Sequence, residues 1–201
     1  MAAADRREQV LDAALRIIAR DGYGAVSIDG IARELDVTRP VIYSQFGGLE
    51  SLLLALLDRQ AERALESLLG ALSEPDLRNP RRYVHATVLR LCAIVAADTA
   101  LWAPIFAPAA ATPEVVRQRI SRDREAVRRR IQTLIEVLAN AGSLPAGVDP
   151  GVLSHAVVAI GQHFGRLLVE DPAALDAEAV AATLSAMLVP ARRSSGRARA
   201  G

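Results

Sequence analysis

The hydrophobic residues of this chain recur mainly three and four positions apart, which is the period of an α-helix. Over residues 5–19 they form one apolar face of an amphipathic helix, which ends at Gly22. Ser27 is a good N-cap for a second, short helix. A third helix is predicted to begin near Thr38 and to end by Gly47. The N-terminal part therefore has the pattern of three packed helices.

Longer helical patterns follow in the rest of the chain. They cover residues 49–72, 81–97, 113–141, 150–169 and 177–189, with a short proline-interrupted helix at 101–106. Residues 73–80 contain two prolines and are a candidate hinge, and the arginine-rich tail after residue 191 is too polar to pack and is expected to be disordered. The pattern predicts an all-α fold with about nine helices.

The composition supports this fold class and excludes several functions. Hydrophobic residues make up 51% of the chain and aromatic residues 3%, with Ala and Leu dominant. The single cysteine, Cys92, excludes an intrachain disulfide and offers no zinc-binding set, and it fits a reducing cytoplasm. The histidines lack the i, i+4 spacing of a helical metal site, so neither a metal nor a cofactor is expected.

We also expect no signal peptide and no membrane span. The N-terminus lacks a long apolar run, and the most apolar stretch, residues 91–111, is interrupted by Asp98, Pro104 and Pro108.

The distribution of charge is less informative. All 24 basic residues are arginines and the formal net charge is +1. Residues 1–50 contain six arginines and eight acidic residues, a net charge of −2, which does not favour a nucleic-acid partner. The run of arginines between residues 117 and 130 is expected to be a solvated helix face with local ion pairs.

The most informative segment is residues 27–46. Two short helices are predicted there on either side of a tight turn around Asp36, and their apolar residues can hold them crossed: Ile31, Leu35, Val37, Ile42 and Phe46. In such a helix-turn-helix the outer face of the second helix is free to enter the DNA major groove.

Here the sequence resembles the TetR family of transcriptional regulators. The resemblance rests on Ile31-Ala32, Val37-Thr38 and the run Ile42-Tyr43-Ser44-Gln45-Phe46, and it covers about residues 8–57. It implies that Thr38, Arg39, Pro40 and Val41 open a recognition helix, with Thr38 and Tyr43 binding phosphates.

The chemistry of these side chains agrees with such roles. Arg39 is the long donor that can pair with guanine, and Thr38 can both cap a helix and donate to phosphate. The further DNA-binding candidates are Ser27, Arg33, Gln45 and the backbone at Gly48, while Arg6 and Arg7 precede the first helix and could reach the DNA. Gln45 and Leu49 stand where the family commonly has histidine and lysine, which reduces the number of phosphate contacts.

The resemblance further implies that the C-terminal body dimerises and binds a small effector. Trp102 and Phe106, four residues apart, could line its pocket or simply fill the core. The polar candidates for ligand contact are His85, Arg90, Cys92, Gln162 and His163, although any one of them is more often a structural residue.

The two C-terminal helices favour a dimer interface. Residues 150–169 and 177–189 are rich in Ala, Val, Leu and Gly, including Gly161 and Gly165, and they could form a four-helix interface with a second copy. Ordinary packing within one chain is the alternative.

The resemblance, together with these patterns, implies a homodimeric, ligand-responsive regulator of the repressor type that binds a pseudo-palindromic operator in double-stranded DNA. A small, hydrophobic effector would release it. The predicted domains are residues 1–48 for DNA binding, 49–190 for effector binding and dimerisation, and 191–201 as a tail. No catalytic constellation is evident. The alternative is a helical ligand-binding or carrier module whose head has weak or lost DNA affinity.

Overall fold

The structure is a computed structural model that describes residues 3–71, 78–108, 112–145, 147–173 and 175–189. All regular secondary structure in these ranges is helical. The helices are α1 Ala3–Asp21, α2 Ile28–Leu35, α3 Arg39–Phe46, α4 Leu49–Ala71, α5 Pro80–Ala97, α6 Thr99–Phe106, α7 Glu114–Asn140, α8 Pro150–Glu170 and α9 Ala177–Leu188, with a 3-10 turn at Tyr23–Ala25. The predicted all-α architecture with about nine helices is confirmed.

Local sequence signals set the geometry of the N-terminal helices. The Ser27 hydroxyl accepts a hydrogen bond from the backbone N–H of Gly30 at 3.0 Å, which caps α2. Asp36 adopts a left-handed conformation with φ 52°, and this single residue reverses the chain between α2 and α3. Gly47, with φ 72°, ends α3 in the conformation that glycine adopts without strain. These turns hold α2 and α3 in the crossed arrangement of a helix-turn-helix.

The N-terminal helices enclose one hydrophobic core. Val10, Ile31 and Ile42 are fully buried in it, and the first half of α4 adds Leu52 and Leu56. Arg59 of α4 bridges two carboxylates of α1, those of Glu8 and Asp12, at 2.8 Å each. We call α1 to α3 and the first half of α4 the head; it comprises residues 3–57.

The remaining helices form the body around a second core. In it α5 packs on α9, α7 packs on α8, and α6 lies between α4 and α8. Its buried residues are Ala64, Cys92, Val95, Leu101, Trp102 and Leu168. The chain turns by 102° between α5 and α6, so α6 runs across the body and its C-terminal end faces the head.

Helix ends differ from the sequence prediction by one or two residues. For example, α1 extends to Asp21 and α7 covers Glu114–Asn140. Most of the predicted hinge at 73–80 and the whole predicted tail lie outside the described residues. The boundary between residues 48 and 49 stays a prediction, and α4 contributes side chains to both cores.

The apolar character of α8 is pronounced. By length and composition it alone among the described helices could cross a membrane, and up to three spans are counted if two bent helix pairs are each taken as one. Only 17% of its most apolar window is buried within the protomer. The helix therefore exposes apolar surface that the described part of the chain does not cover.

Candidate functional site

The exposed face of α3 contains the predicted recognition residues. Thr38, Arg39, Pro40 and Tyr43 are exposed, whereas Ile42 is buried in the head core. The 3.6-residue period of the helix separates these two sets. The first turn and the outer face of α3 are therefore accessible to a groove.

Two hydroxyl groups on this face are available for phosphate oxygens. Thr38 is the N-cap residue of α3, but its side chain makes no capping hydrogen bond. Tyr43 is 50% exposed. By contrast, the Ser44 hydroxyl donates to the carbonyl of Val41 at 2.8 Å, so its donor is already used within the helix.

Arg39 forms an ion pair that the sequence analysis missed. Its Nε contacts a carboxylate oxygen of Asp29, at the start of α2, and both side chains are substantially exposed. Asp29 therefore competes with DNA for the guanidinium of Arg39. The pair crosses the helix-turn-helix, so only the folded geometry of the turn reveals it.

The other candidate DNA-binding residues have different environments. The Ser27 side chain caps α2, as described above, and Arg33 is exposed. Gln45 and Gly48 are half-buried, and α4 begins at Leu49, so its first-turn N–H groups lack intrahelical partners.

Arg7 is held against the end of α3. Its guanidinium lies 4.2 Å from the centroid of the Phe46 ring, and its Nη1 donates to the carbonyl of Gln45 at 2.9 Å. Arg7 therefore fixes α1 to the recognition helix, and it must leave these contacts before it can reach the DNA.

A cavity of about 210 Å³ lies in the body, between the end of α6, α7 and α8. It combines apolar walls with polar and basic groups. The lining residues are Phe106, Ala107, Pro108, Thr112, Arg117, Ile120, Arg124, Gln162 and Arg166. Below we call it the α6–α8 cavity.

The structure brings together only two of the predicted ligand-binding residues. Phe106 and Gln162 both line the α6–α8 cavity. Trp102 is buried beside them and stacks on Phe106 with ring centroids 5.8 Å apart, so one aromatic residue of the pair fills the core and the other forms a cavity wall.

The remaining candidates lie elsewhere. Cys92 is buried in the body core, where burial raises the pKa of its thiol. Arg90 and His163 are exposed and line neither this cavity nor the open depression of about 310 Å³ at the start of α5. His85 borders that depression, and its Nε2 lies 2.9 Å from a carboxylate oxygen of Glu178. The seven residues therefore do not form one site.

Three arginines of the cavity were not among the candidates. The expected solvated face with local ion pairs agrees with the structure, since Arg117, Arg122 and Arg124 are all exposed and Arg117 pairs with Glu114. In addition, Arg117 and Arg124 line the cavity together with Arg166 of α8. A signal was present in the sequence: residues 117 and 124 are seven apart and 162 and 166 are four apart, so each pair shares a helix face.

The cavity adjoins the head core directly. Ala107 and Ile120 line the cavity and also pack against the head core, and Val116 of α7 is fully buried inside that core. Nearby, the Tyr23 hydroxyl donates to the Pro104 carbonyl at 3.4 Å. A movement of α7 at the cavity therefore acts on side chains packed in the head.

A polar link joins α7 to the other side of the head. Arg119, next to the cavity residue Ile120, forms ion pairs with Asp58 of α4 and with Asp123. Hydrogen bonding to Asp58 raises the pKa of Arg119, so this guanidinium stays charged.

Comparison with known proteins gives two findings. Residues 10–56 match the family model for bacterial regulatory proteins of the tetR family. The whole chain also resembles solved structures, each below 25% sequence identity, which establishes similarity of fold.

Three of these structures illustrate the similarity. The fatty acid degradation regulator FadR from Bacillus halodurans has a TM-score of 0.71 at 18% identity, with 94% of this chain and 96% of that chain covered. AibR, solved in complex with isovaleryl coenzyme A and operator DNA, has a TM-score of 0.72 at 21% sequence identity, with 92% of this chain and 98% of that chain covered. A TetR-like transcriptional regulator from Rhodococcus sp. RHA1 has a TM-score of 0.68 at 21% sequence identity, with 93% of this chain and 95% of that chain covered.

The matched residues contain the helix-turn-helix with its exposed recognition helix, and a helical body follows. This motif is one that enters the DNA major groove. Residues 10–56 therefore match the model for bacterial regulatory proteins of the tetR family, and the chain shares its fold with solved TetR-like regulators.

Proposed function

We propose that this protein is a ligand-responsive repressor that binds a pseudo-palindromic operator as a homodimer and is released by a small effector in the α6–α8 cavity. The proposal rests on the observation that two residues of the cavity wall also pack against the hydrophobic core of the head. Because Ala107 and Ile120 line the cavity and also contact the head core, a ligand that shifts them changes the position of the head. Such a ligand would bind more tightly to one head position than to another, which is the condition for allosteric release.

The exposed apolar surface of α8 and α9 supports the homodimer. Val152 of α8 is 70% exposed and Met187 of α9 is 68% exposed, and each is a large apolar side chain without cover among the described residues. Two copies that pair these helices would form a four-helix interface with two-fold symmetry. This symmetry would place two recognition helices on two half-sites of an operator.

The similar structures agree with a regulator that binds both DNA and a small molecule. AibR was solved with operator DNA and isovaleryl coenzyme A. A further similar structure is a complex of SmeT with triclosan. These ligands belong to those proteins, and they support a small-molecule effector as a class for this chain.

The alternative function is a ligand carrier whose head binds DNA weakly or not at all, and one observation favours it. Two arginines of the head are already engaged within the protein, since Arg39 contacts Asp29 and Arg7 contacts Phe46. Together with the net charge of −2 over residues 1–50, this lowers the number of cations available to phosphates.

Fluorescence anisotropy separates the two functions. Labelled double-stranded DNA from the promoter region of the protein's own gene is titrated with full-length protein at low salt, beside a scrambled fragment of equal length. The repressor function predicts tighter binding to the promoter fragment, by about 1,000-fold or more, with two protomers per site. Equal binding to both fragments, or no binding, would favour the carrier module.

A further inference from the structure

The arginines of α7 and of the α6–α8 cavity differ in whether they have a carboxylate partner. Arg119 and Arg128 each form ion pairs with carboxylates, Arg119 with Asp58 and Asp123, and Arg128 with Glu125. Such pairs neutralise each guanidinium locally. Among the cavity arginines, Arg117 is likewise paired, with Glu114, and Arg124 and Arg166 differ from it.

Arg124 and Arg166 have no carboxylate partner among the described residues. With the Gln162 amide oxygen facing α7, that oxygen accepts hydrogen bonds from Arg124 Nε and, at 3.2 Å, from Arg124 Nη2. An amide oxygen orients a guanidinium without cancelling its charge. Burial lowers the pKa of Arg124, which shows that its charged form is partly desolvated.

Arg117 completes the basic wall of the cavity. Its Nη1 donates to the Thr112 carbonyl at 3.1 Å, and its Nη2 contacts Glu114, which is exposed. No acidic side chain is among the residues that line the cavity. The lining therefore carries a net positive charge on side chains that are exposed to solvent, and Arg124 and Arg166 are its unpaired cations among the described residues. A bound anion would find complementary charge there.

The opposite wall is apolar. The Phe106 ring, the Ile120 side chain and Pro108 provide a surface that favours hydrocarbon over water. The volume of about 210 Å³ is below the roughly 300–1,000 Å³ of sites that hold drug-sized ligands, so the occupant is small. A basic wall facing an apolar wall fits an amphipathic molecule.

We propose that the α6–α8 cavity binds a small organic anion, with a carboxylate or phosphate group held by Arg117, Arg124 and Arg166 and a short apolar part packed on Phe106. Planar guanidinium groups bind both oxyanions in a bidentate manner, which gives affinity and orientation. The proposal rests on the proposed function, since this anion is the effector there. It also sharpens the sequence-based expectation of a hydrophobic effector, because it adds a required negative charge.

Matched probes test the charge requirement. Isothermal titration calorimetry of full-length protein compares hexanoate and hexyl phosphate with the neutral hexanamide and the cationic hexylammonium. Hexanoate or hexyl phosphate, or both, should bind at least 10-fold more tightly than hexanamide. The tighter-binding anion shows whether the site prefers a carboxylate or a phosphate. Equal affinity for acid and amide, or no binding of either anion, would overturn the proposal.

Substitutions then locate the site. Arg124→Gln and Arg166→Gln are each expected to weaken binding of the anionic probe by about 10-fold. Arg122→Gln, an arginine of α7 that does not line the cavity, should leave it unchanged. Circular dichroism and thermal melting of each variant without ligand check that the fold is kept. Unchanged anion affinity in both cavity variants would contradict the assignment of these residues.

Promoter-DNA binding with and without the probe separates this proposal from the proposed function. If the anion binds in the cavity but leaves DNA affinity unchanged, the site stands and its effector role fails. If a neutral apolar molecule releases the DNA and no anion binds, the effector role stands and the anionic class is wrong.

Discussion

The ring of Phe106 rests directly on the backbone of Gly165. A Cβ atom at residue 165 would approach three carbons of this ring to less than 3.0 Å, so glycine is required for the present position of α6 against α8. Gly161, one turn earlier, has open space around it within the protomer. The two glycines predicted as one small-residue pair therefore have different surroundings.

Replacing Gly165 should disturb the cavity through Phe106. Gly165→Ala is expected to destabilise the protein by about 1–3 kcal/mol, which is typical of overpacking, and to lower the melting temperature by several degrees. In the double variant Gly165→Ala/Phe106→Leu the clash is relieved, so its destabilisation should be smaller than the sum of the two single effects. Thermal and urea unfolding measure these differences, and simple additivity would refute the contact.

The exposed face of α3 predicts two kinds of DNA-binding defect. Arg39→Ala should abolish the preference for promoter DNA over scrambled DNA, since Arg39 is the long donor at the start of the recognition helix. Tyr43→Phe should weaken binding to both fragments alike, by a few fold, through one lost phosphate contact. Anisotropy titrations distinguish them, and a sequence-specific loss in Tyr43→Phe would show that this assignment is wrong.

The Arg39–Asp29 pair predicts a variant with increased affinity. Asp29→Asn frees Arg39 and should tighten promoter binding by about 3- to 10-fold, an effect that decreases as salt is raised. Asp21→Asn is the matched control: it removes the same charge from the head, from a carboxylate that contacts Arg20 at 2.7 Å. The account requires a larger gain for Asp29→Asn than for Asp21→Asn, and equal gains would assign the effect to net charge alone.

The apolar surface of α8 and α9 predicts a variant that fails to dimerise. Met187→Glu places a charge on a side chain that is 68% exposed in the protomer and is expected to lie in the dimer interface, so the protein should become monomeric. Val127→Glu on α7, where the side chain is 46% exposed, is the control and should remain dimeric. Sedimentation velocity gives the oligomeric state, and a dimer that persists in Met187→Glu would place the interface elsewhere.

The burial of Cys92 predicts slow thiol chemistry. Because burial raises its pKa in the folded protein, less thiolate is present at neutral pH than in an unfolded chain. Reaction with a thiol reagent at pH 8 should therefore be slow in buffer and fast in denaturant. Equal rates would show that the thiol is accessible.

The sequence predicted those features that depend on short spacings. The N-cap at Ser27, the turn at Asp36 and the apolar set that includes Ile42 specify the helix-turn-helix, because each acts within a few residues. The period of 3.6 residues also separated exposed Tyr43 from buried Ile42.

Features that depend on tertiary packing could not be predicted in the same way. Seen in sequence, Arg117 and Arg124 belong to a charged helix face, and only the position of α8 turns that face into a cavity wall. The Arg39–Asp29 pair likewise depends on how α2 crosses α3. Polar side chains such as Arg90 and His163 looked like ligand contacts because the helix patterns alone do not reveal which face is covered.

Footprinting on the protein's own promoter DNA tests the central claim most directly. Wild-type protein is predicted to protect a pseudo-palindromic segment with two half-sites about one helical turn, or a multiple of it, apart, and Arg39→Ala should give no such footprint. Absence of any protected segment with the wild-type protein at low salt would contradict the account of this chain as an operator-binding regulator.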